Sequence, residues 1–143
     1  MDKLLFASWA RFEDLALLLL RCATGFFLLY QSHDNVLSAE RMAEFVGFMT
    51  AFGFWQPEIL APFAIFWQVA AGIGLILGLF VRPLGLITAI QFVVAVAMVH
   101  LADPANLVWS AASLIFIGLY LAARGGGRYA LDSLLDRGRA RKG

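Results

Sequence analysis

The stretch LALLLLRCATGFFLLYQ, residues 15–31, decides the fold class of this chain. Its seven leucines and two phenylalanines make it apolar enough for a bilayer, which a helix crosses in roughly 20 mostly apolar residues. Arg21 interrupts the stretch near its middle. A central arginine costs roughly 2.5 to 3.5 kcal/mol on insertion, against a gain of about 3 to 5 kcal/mol from the leucines and phenylalanines. We therefore expect a membrane helix whose arginine faces protein rather than lipid.

The composition of the whole chain is typical of a membrane protein. Hydrophobic residues make up 62% of the chain, and charged residues only 15%, whereas soluble proteins carry about 25% charged residues. The net charge of +1 gives no electrostatic reason to expect nucleic acid as a partner. The single cysteine, Cys22, excludes an intramolecular disulfide and a CxxC redox pair, which argues against a thiol oxidoreductase.

Four apolar stretches are long enough to approach a membrane span. They predict transmembrane helices at about 13–31, 59–80, 84–102 and 107–123. The expected fold class is all-α, a four-transmembrane-helix bundle that forms one domain over residues 1–143. In the second stretch Gly74 and Gly78 make a GxxxG pattern, which predicts close helix packing, either inside the chain or in a homodimer.

The segment between the first two apolar stretches also has helical periodicity. Apolar residues recur at helical spacing behind Ser38, a predicted N-cap: Met42, Phe45, Val46, Met49 and Phe52. The pattern predicts a short amphipathic helix over 38–52, lying at the periplasmic membrane interface. Such a helix either covers the bundle as a lid or gates a substrate.

The distribution of basic residues predicts the orientation. Outside the apolar stretches, nine of the ten Lys and Arg residues fall on one side: Lys3, Arg11, Arg82, Arg124, Arg128, Arg137, Arg139, Arg141 and Lys142. The other side has Arg41 alone. By the positive-inside rule, the N- and C-termini are expected in the cytoplasm of a bacterium, with the chain in the inner (plasma) membrane.

The segment RGGGRYALD, residues 124–132, opens a basic cytoplasmic tail, 124–143. No strand precedes its glycines, so we interpret them as the end of the fourth helix rather than a phosphate-binding loop. After them, apolar side chains are expected to dip into the membrane interface: Tyr129, Leu131, Leu134 and Leu135. The basic side chains of the tail would face anionic lipid or, alternatively, a cytoplasmic partner.

The chain resembles the DoxX family over essentially its whole length. The resemblance is carried by Arg21, by AAGIGLILGLFVRP (residues 70–83), by His100 and by GGGRYALD (residues 125–132). It implies a small four-helix membrane protein, in a family named after a subunit associated with a thiosulfate:quinone oxidoreductase and with relatives encoded beside other redox systems.

Two positions depart from the pattern that this resemblance implies. A lysine expected shortly after the first helix is replaced in QSHDN, residues 31–35, by Asn35 or a neighbour. A glutamate expected in the second helix corresponds to Gln68. Both departures remove charge from the expected interior, which argues against a proton-handling or substrate role that depends on that charged pair.

Three polar residues are expected inside the bundle. At 1.5 Å per residue, Arg21 lies about 15 Å inward from Gln31 and Gln68 about 13.5 Å inward from Ile59, which places them level. Gln91 lies within reach of a long guanidinium. We therefore predict that Arg21 donates hydrogen bonds to Gln68, to Gln91 or to interior carbonyls. Such a polar clasp either staples the helices together or holds a carbonyl-bearing ligand such as a quinone.

A second group of polar residues falls at the outer helix ends. If the first and third helices are neighbours, His33, Asp34, His100 and Asp103 converge on a metal, a haem edge or a quinone headgroup. Two imidazoles and two carboxylates suit a divalent metal ion. The alternative is that all four are solvated interfacial side chains.

Three functional hypotheses follow, and none of them assigns a catalytic residue. The first is a non-catalytic subunit that anchors or stabilises a larger membrane redox complex together with other membrane protein subunits. The second is a quinone-binding oxidoreductase component. The third is a small transporter of a solute or lipid, which would need a continuous polar path through the bundle.

Overall fold

A computed structural model of the chain describes residues 12–102 and 104–140, which are helical apart from short connections. Six α-helices follow one another: α1 (Glu13–Leu37), α2 (Ala39–Ala51), α3 (Pro57–Leu77), α4 (Val81–Met98), α5 (Ala105–Arg124) and α6 (Leu131–Ala140). A short 3₁₀ turn, His100–Ala102, lies between α4 and α5. The described residues contain no strand, so the predicted all-α class is confirmed for them.

Three of the helices are long and apolar enough to cross a membrane: α1, α3 and α4. The fourth predicted stretch forms α5, whose apolar part, Val108–Arg124, is shorter. The prediction of a multi-pass helical membrane protein is therefore confirmed. Helices α1, α3, α4 and α5 alternate in direction. We call the end where α1 and α4 finish the α2 end, and the opposite end, where α3 and α5 finish, the α6 end.

Helix α1 continues six residues beyond the predicted boundary at 31. Ser32 is completely buried there, and its hydroxyl donates a hydrogen bond to the carbonyl of Leu28 at 2.7 Å. Because the Ser32 hydroxyl is hydrogen-bonded within its own helix, the polar residues 31–35 do not end the helix. Asn35 therefore lies in the last turns of α1 rather than in a loop.

Helix α2 confirms the helix predicted over 38–52. The Ser38 hydroxyl caps it by accepting a hydrogen bond from the Arg41 backbone N–H at 3.3 Å. Met49 is buried on its inner face, whereas Arg41 and Glu44 form an exposed ion pair at 2.8 Å. The helix is thus amphipathic, and its location on the periplasmic side stays a prediction.

The long helices pack as two close pairs, each held by mutually packed glycines. A Cβ atom built on Gly25 of α1 would lie 2.5 Å from the carbonyl oxygen of Gly72 in α3. A Cβ atom built on Gly118 of α5 would lie 2.6 Å from the carbonyl oxygen of Gly85 in α4. Each pair of backbones approaches so closely because neither glycine has a side chain.

The GxxxG pattern of α3 packs inside the chain. A Cβ atom on Gly74 would meet the Leu84 side chain of α4 at 2.2 Å. One on Gly78, which has a left-handed backbone with φ of 72°, would meet the Arg21 guanidinium at 2.0 Å and Ala130 at 2.6 Å. Both glycines therefore serve contacts at the α6 end, where α3 turns into α4.

Candidate functional site

Arg21 is completely buried near the α6 end of α1. Its guanidinium donates hydrogen bonds to two main-chain carbonyls, of Leu75 at 3.3 Å and of Tyr129 at 3.2 Å. Its Nε–H has no hydrogen-bond partner among the described residues. Arg21 is eight residues from the start of α1, about 12 Å along the axis. Depth counted inward from Gln31 places it too far towards the α2 end, because α1 continues to Leu37.

The residues after α5 form a structure that we call the C-terminal clasp, residues 124–132. Its Asp132 carboxylate accepts hydrogen bonds from the backbone N–H groups of Phe80 at 2.9 Å and Val81 at 3.0 Å. The Asp132 N–H in turn donates to the carbonyl of Gly78 at 3.0 Å. Asp132 thus caps α4 and fixes Phe80 in a left-handed conformation, with φ of 53°, that residues other than glycine rarely adopt.

The clasp is also tied to α1 and α5. Arg124 donates to the Glu13 carboxylate at 2.8 Å, and the Arg128 backbone N–H donates to Asp14 at 3.2 Å. Arg82, at the start of α4, donates to the main-chain carbonyls of Ala122 at 3.2 Å and Ala123 at 2.7 Å, in the last turn of α5. Such carbonyls have no partner within their own helix. The α6 end is therefore a network of helix caps, in which Arg82, Arg124 and Asp132 have structural partners.

Sequence reasoning missed the capping role of Asp132. The glycines do end the helix as predicted, because α5 stops at Arg124 and Gly125 has a φ of 79°. The sequence gives one indirect indication of this cap, because α4 begins at Val81 without a Ser, Thr, Asp or Asn immediately before it. Its capping group had to come from elsewhere in the chain.

The tail continues as helix α6. Tyr129, Leu131, Leu134 and Leu135 are exposed, which fits the predicted interfacial side chains. Arg141 and Lys142 lie outside the described residues.

A cavity of about 740 Å³ lies at the α2 end, bordered by α1, α2, α3 and α4. Its walls are mostly aliphatic and aromatic, and none of the lining residues is Asp, Glu, Lys or Arg. Five polar side chains line it: Gln31, Asn35, Gln68, Gln91 and His100. A mostly apolar cavity with a few convergent polar groups is typical of a small-molecule site.

The two glutamines of the cavity retain hydrogen-bonding capacity. Gln91 donates to the carbonyl of Ala64 at 3.4 Å, a long bond that uses one of its two N–H groups. The Gln68 carboxamide makes no hydrogen bond within the described part of the chain. Neither glutamine is hydrogen-bonded to Arg21 there. The structure therefore assigns the arginine to the α6 end and the glutamines to the cavity.

The structure places the residues of the metal hypothesis in different surroundings. His33 and Asp34 form an exposed pair at 2.8 Å on the last turns of α1. His100 lies on the 3₁₀ turn and lines the cavity, which His33 and Asp34 do not. The described residues contain no group of three or more His, Cys, Asp or Glu that could hold a metal ion. Asp103 lies outside them, so the four-residue site stays a prediction.

Comparison with known proteins identifies one family. A family model described as DoxX matches residues 16–101, more than half of the chain. No curated protein and no solved structure matches the chain. The matched span includes Arg21 and every residue that lines the cavity, whereas the C-terminal clasp follows it.

Proposed function

This chain belongs to the DoxX family, and from that premise we propose that it is a membrane subunit of a larger redox complex that contributes a quinone-binding cavity rather than a catalytic centre. The observation that carries the proposal is the cavity at the α2 end. Its volume of about 740 Å³ falls within the roughly 300 to 1,000 Å³ of typical ligand pockets.

The chemistry of the cavity walls fits a quinone. A quinone ring is flat, apolar on both faces and uncharged, and its two carbonyl oxygens accept hydrogen bonds. The N–H groups of Gln68 and Gln91 are suitable donors. Aromatic side chains that can pack against the ring line the same space: Phe45, Phe48, Trp67 and Phe92.

The two departures from the family pattern support a neutral ligand. Asn35 and Gln68 both line the cavity. At both positions this chain has an uncharged amide, so the cavity offers hydrogen bonds without a fixed charge. When bound, the quinone would supply the electron-accepting group. The chain would orient the ring and exclude water, while another subunit would deliver the electrons.

A blind pocket fits this structure better than a transport path. The lining residues reach Gln68 on α3 and Ile87 on α4, and no described residue nearer the α6 end of either helix belongs to them. Beyond this point α3 and α4 converge at Gly74 and Leu84. The C-terminal clasp covers the α6 end itself.

We also propose the orientation in the membrane. The basic residues at the α6 end favour a cytoplasmic location for it in a bacterial inner membrane, which would put the cavity in the outer leaflet. Helix α6 would then lie on the cytoplasmic surface, with Leu131, Leu134 and Leu135 in the interface and the basic residues of the tail near anionic lipid.

Trp67 provides a reporter for the test because it lines the cavity next to Gln68. The purified protein in lipid nanodiscs is titrated with a short-chain benzoquinone, and tryptophan quenching is recorded. We expect a saturable component that Trp67→Phe removes and that Trp109→Phe, an exposed residue of α5, retains. Gln68→Leu should weaken binding by about fivefold, the value of one hydrogen bond.

Two outcomes would contradict the proposal. One is quenching that rises linearly with quinone and is the same in Trp67→Phe. The other is purification from native membranes, under gentle conditions, that yields neither quinone nor accompanying subunits.

A further inference from the structure

The cavity shares part of its wall with the lipid-facing surface. Phe63 on α3 is 55% exposed, and Ile90 and Val94 on α4 are 56% and 44% exposed, yet all three line the cavity. They belong to apolar, exposed stripes that continue along both helices through Ile59, Phe66, Ile73, Leu77, Leu86, Val93 and Met98. Such stripes are what a helix presents to hydrocarbon. The cavity therefore opens at the height of the membrane core rather than only at its surface.

The packing of α3 against α4 explains why the opening lies between them. Each of these two helices packs closely, backbone against backbone, on a different partner. Helix α3 packs on α1 at Gly72 and Gly25, and α4 packs on α5 at Gly85 and Gly118. Helices α3 and α4 instead meet near the α6 end, through Gly74 and the Leu84 side chain. Towards the α2 end, the long hydrogen bond from Gln91 to Ala64 crosses between them.

The polar groups of the cavity select against a charged ligand head. The lining carries no acidic, lysine or arginine side chain. Burying an unpaired charge among apolar walls is strongly unfavourable, whereas a carbonyl or hydroxyl group is satisfied by a carboxamide. A phosphate headgroup would find no lysine or arginine there, while an uncharged head would find Gln68 and Gln91.

We propose that the cavity is reached sideways from the bilayer, between α3 and α4, and that its ligand is a lipid-soluble molecule with an uncharged ring and a long hydrocarbon chain. The ring lies against Gln68 and Gln91, and the chain leaves past Phe63 and Val94 into the lipid. This inference rests on the proposed quinone site and specifies its substrate class. Because the hydrocarbon chain of the ligand is surrounded by lipid both before and after binding, it contributes little to the free energy of binding.

The test compares two probes, a dimethoxy-methyl-benzoquinone without a chain and the same ring with a decyl chain. Dissociation constants from Trp67 quenching are calculated with the concentration of each probe in the lipid phase, so that different partitioning into the lipid does not affect the comparison. In the unmodified protein we expect the two to agree within about threefold. Val94→Phe should narrow the opening. It should lower the affinity for the decyl compound by at least about tenfold and leave the affinity for the chain-free ring nearly unchanged.

The chain offers a matched control for this variant. Val93 is the adjacent residue of α4 and is 48% exposed, but it does not line the cavity. Val93→Phe adds the same volume to the same lipid-facing surface and should change neither affinity. If Val94→Phe fails to yield folded protein, Ile90→Phe places the same ring one turn away on α4, at the same edge of the opening, and should give the same selective loss.

The outcomes separate this inference from the proposed function. If the chain-free ring binds and Val94→Phe weakens both probes equally or neither, the sideways opening is wrong while the quinone site stands. If neither probe binds the unmodified protein, both are wrong. A separate experiment uses a phospholipid with brominated chains, which quenches Trp67 when it occupies the cavity. If the decyl quinone does not relieve this quenching, the occupant is a phospholipid and the proposal of an uncharged ligand is wrong.

Discussion

The guanidinium of Arg21 donates a hydrogen bond to the main-chain carbonyl of Tyr129 at 3.2 Å, across 108 residues of sequence. Its other acceptor is the carbonyl of Leu75, in the last turn of α3. Carbonyls at a helix C-terminus carry a partial negative charge. Peptide dipoles of α3 and of the C-terminal clasp therefore stabilise the buried cation, which explains how an arginine is accommodated inside an apolar helix.

Replacing Arg21 with leucine should loosen the C-terminal clasp without unfolding the protein. The carbonyl of Tyr129 would lose a donor, while that of Leu75 keeps a hydrogen bond from the Gly78 N–H. A hydrogen bond to a charged group contributes about 1.5 to 3 kcal/mol, so amide hydrogen exchange over residues 127–132 should accelerate roughly tenfold or more. Unchanged exchange in this segment would show that Arg21 does not hold the clasp. Arg41→Leu, on the exposed face of α2, serves as the control.

Asp132→Ala should destabilise the start of α4. Removing a capping acceptor costs about 1 to 2 kcal/mol, and here two N–H groups, of Phe80 and Val81, lose their partner. Thermal unfolding in detergent should shift down by a few degrees, with Asp132→Asn intermediate because it retains one acceptor oxygen. Asp34→Ala removes an exposed carboxylate that is paired with its neighbour His33, and it should leave the midpoint unchanged.

Gly118→Ala should separate α4 from α5. The added methyl group would lie 2.6 Å from the carbonyl oxygen of Gly85, so the backbones must move apart, at a cost of about 1 to 3 kcal/mol. Gly47→Ala is the matched control because nothing lies within 4 Å of its Cβ position on α2. There the substitution should stabilise the helix by about 1 kcal/mol. Equal unfolding midpoints for the two variants would show that the crossing at Gly118 tolerates a methyl group.

The proposed orientation predicts the labelling of single cysteines. In a Cys22→Ala background, a cysteine at Glu44 should react with a membrane-impermeant thiol reagent in intact cells, because the Glu44 side chain is exposed on α2. A cysteine at Gly143 should react only after the cells are opened. The reverse pattern would invert the membrane orientation and move the cavity to the inner leaflet.

Local signals predicted most of the helices of this fold. The four apolar stretches and the cap at Ser38 depend on residues within one or two turns, so each pattern is complete in the sequence nearby. The predicted helix boundaries were less accurate where a polar side chain is hydrogen-bonded to its own helix, as the Ser32 hydroxyl is in α1. The polarity of residues 31–35 pointed to a loop, whereas burial of the serine hydroxyl against its own helix kept the chain helical.

The candidate site was predicted in part. Gln68 and Gln91 were identified from polarity inside apolar helices, and both line the cavity. Their separation from Arg21 depends on where each helix begins in the membrane, which a count of residues cannot fix to better than a turn. The cap from Asp132 to Val81 spans 51 residues and depends on tertiary packing, so no local pattern contains it.

The order in which the chain is synthesised gives the C-terminal clasp a further consequence. Proteins emerge from the ribosome starting at the N-terminus, so α1, α3 and α4 leave it before Tyr129 and Asp132 have been made. Until then Arg21 lacks its second carbonyl and α4 lacks its cap. The contacts that join α1, α3 and α4 at the α6 end can therefore be completed only after residues 124–132 have been translated.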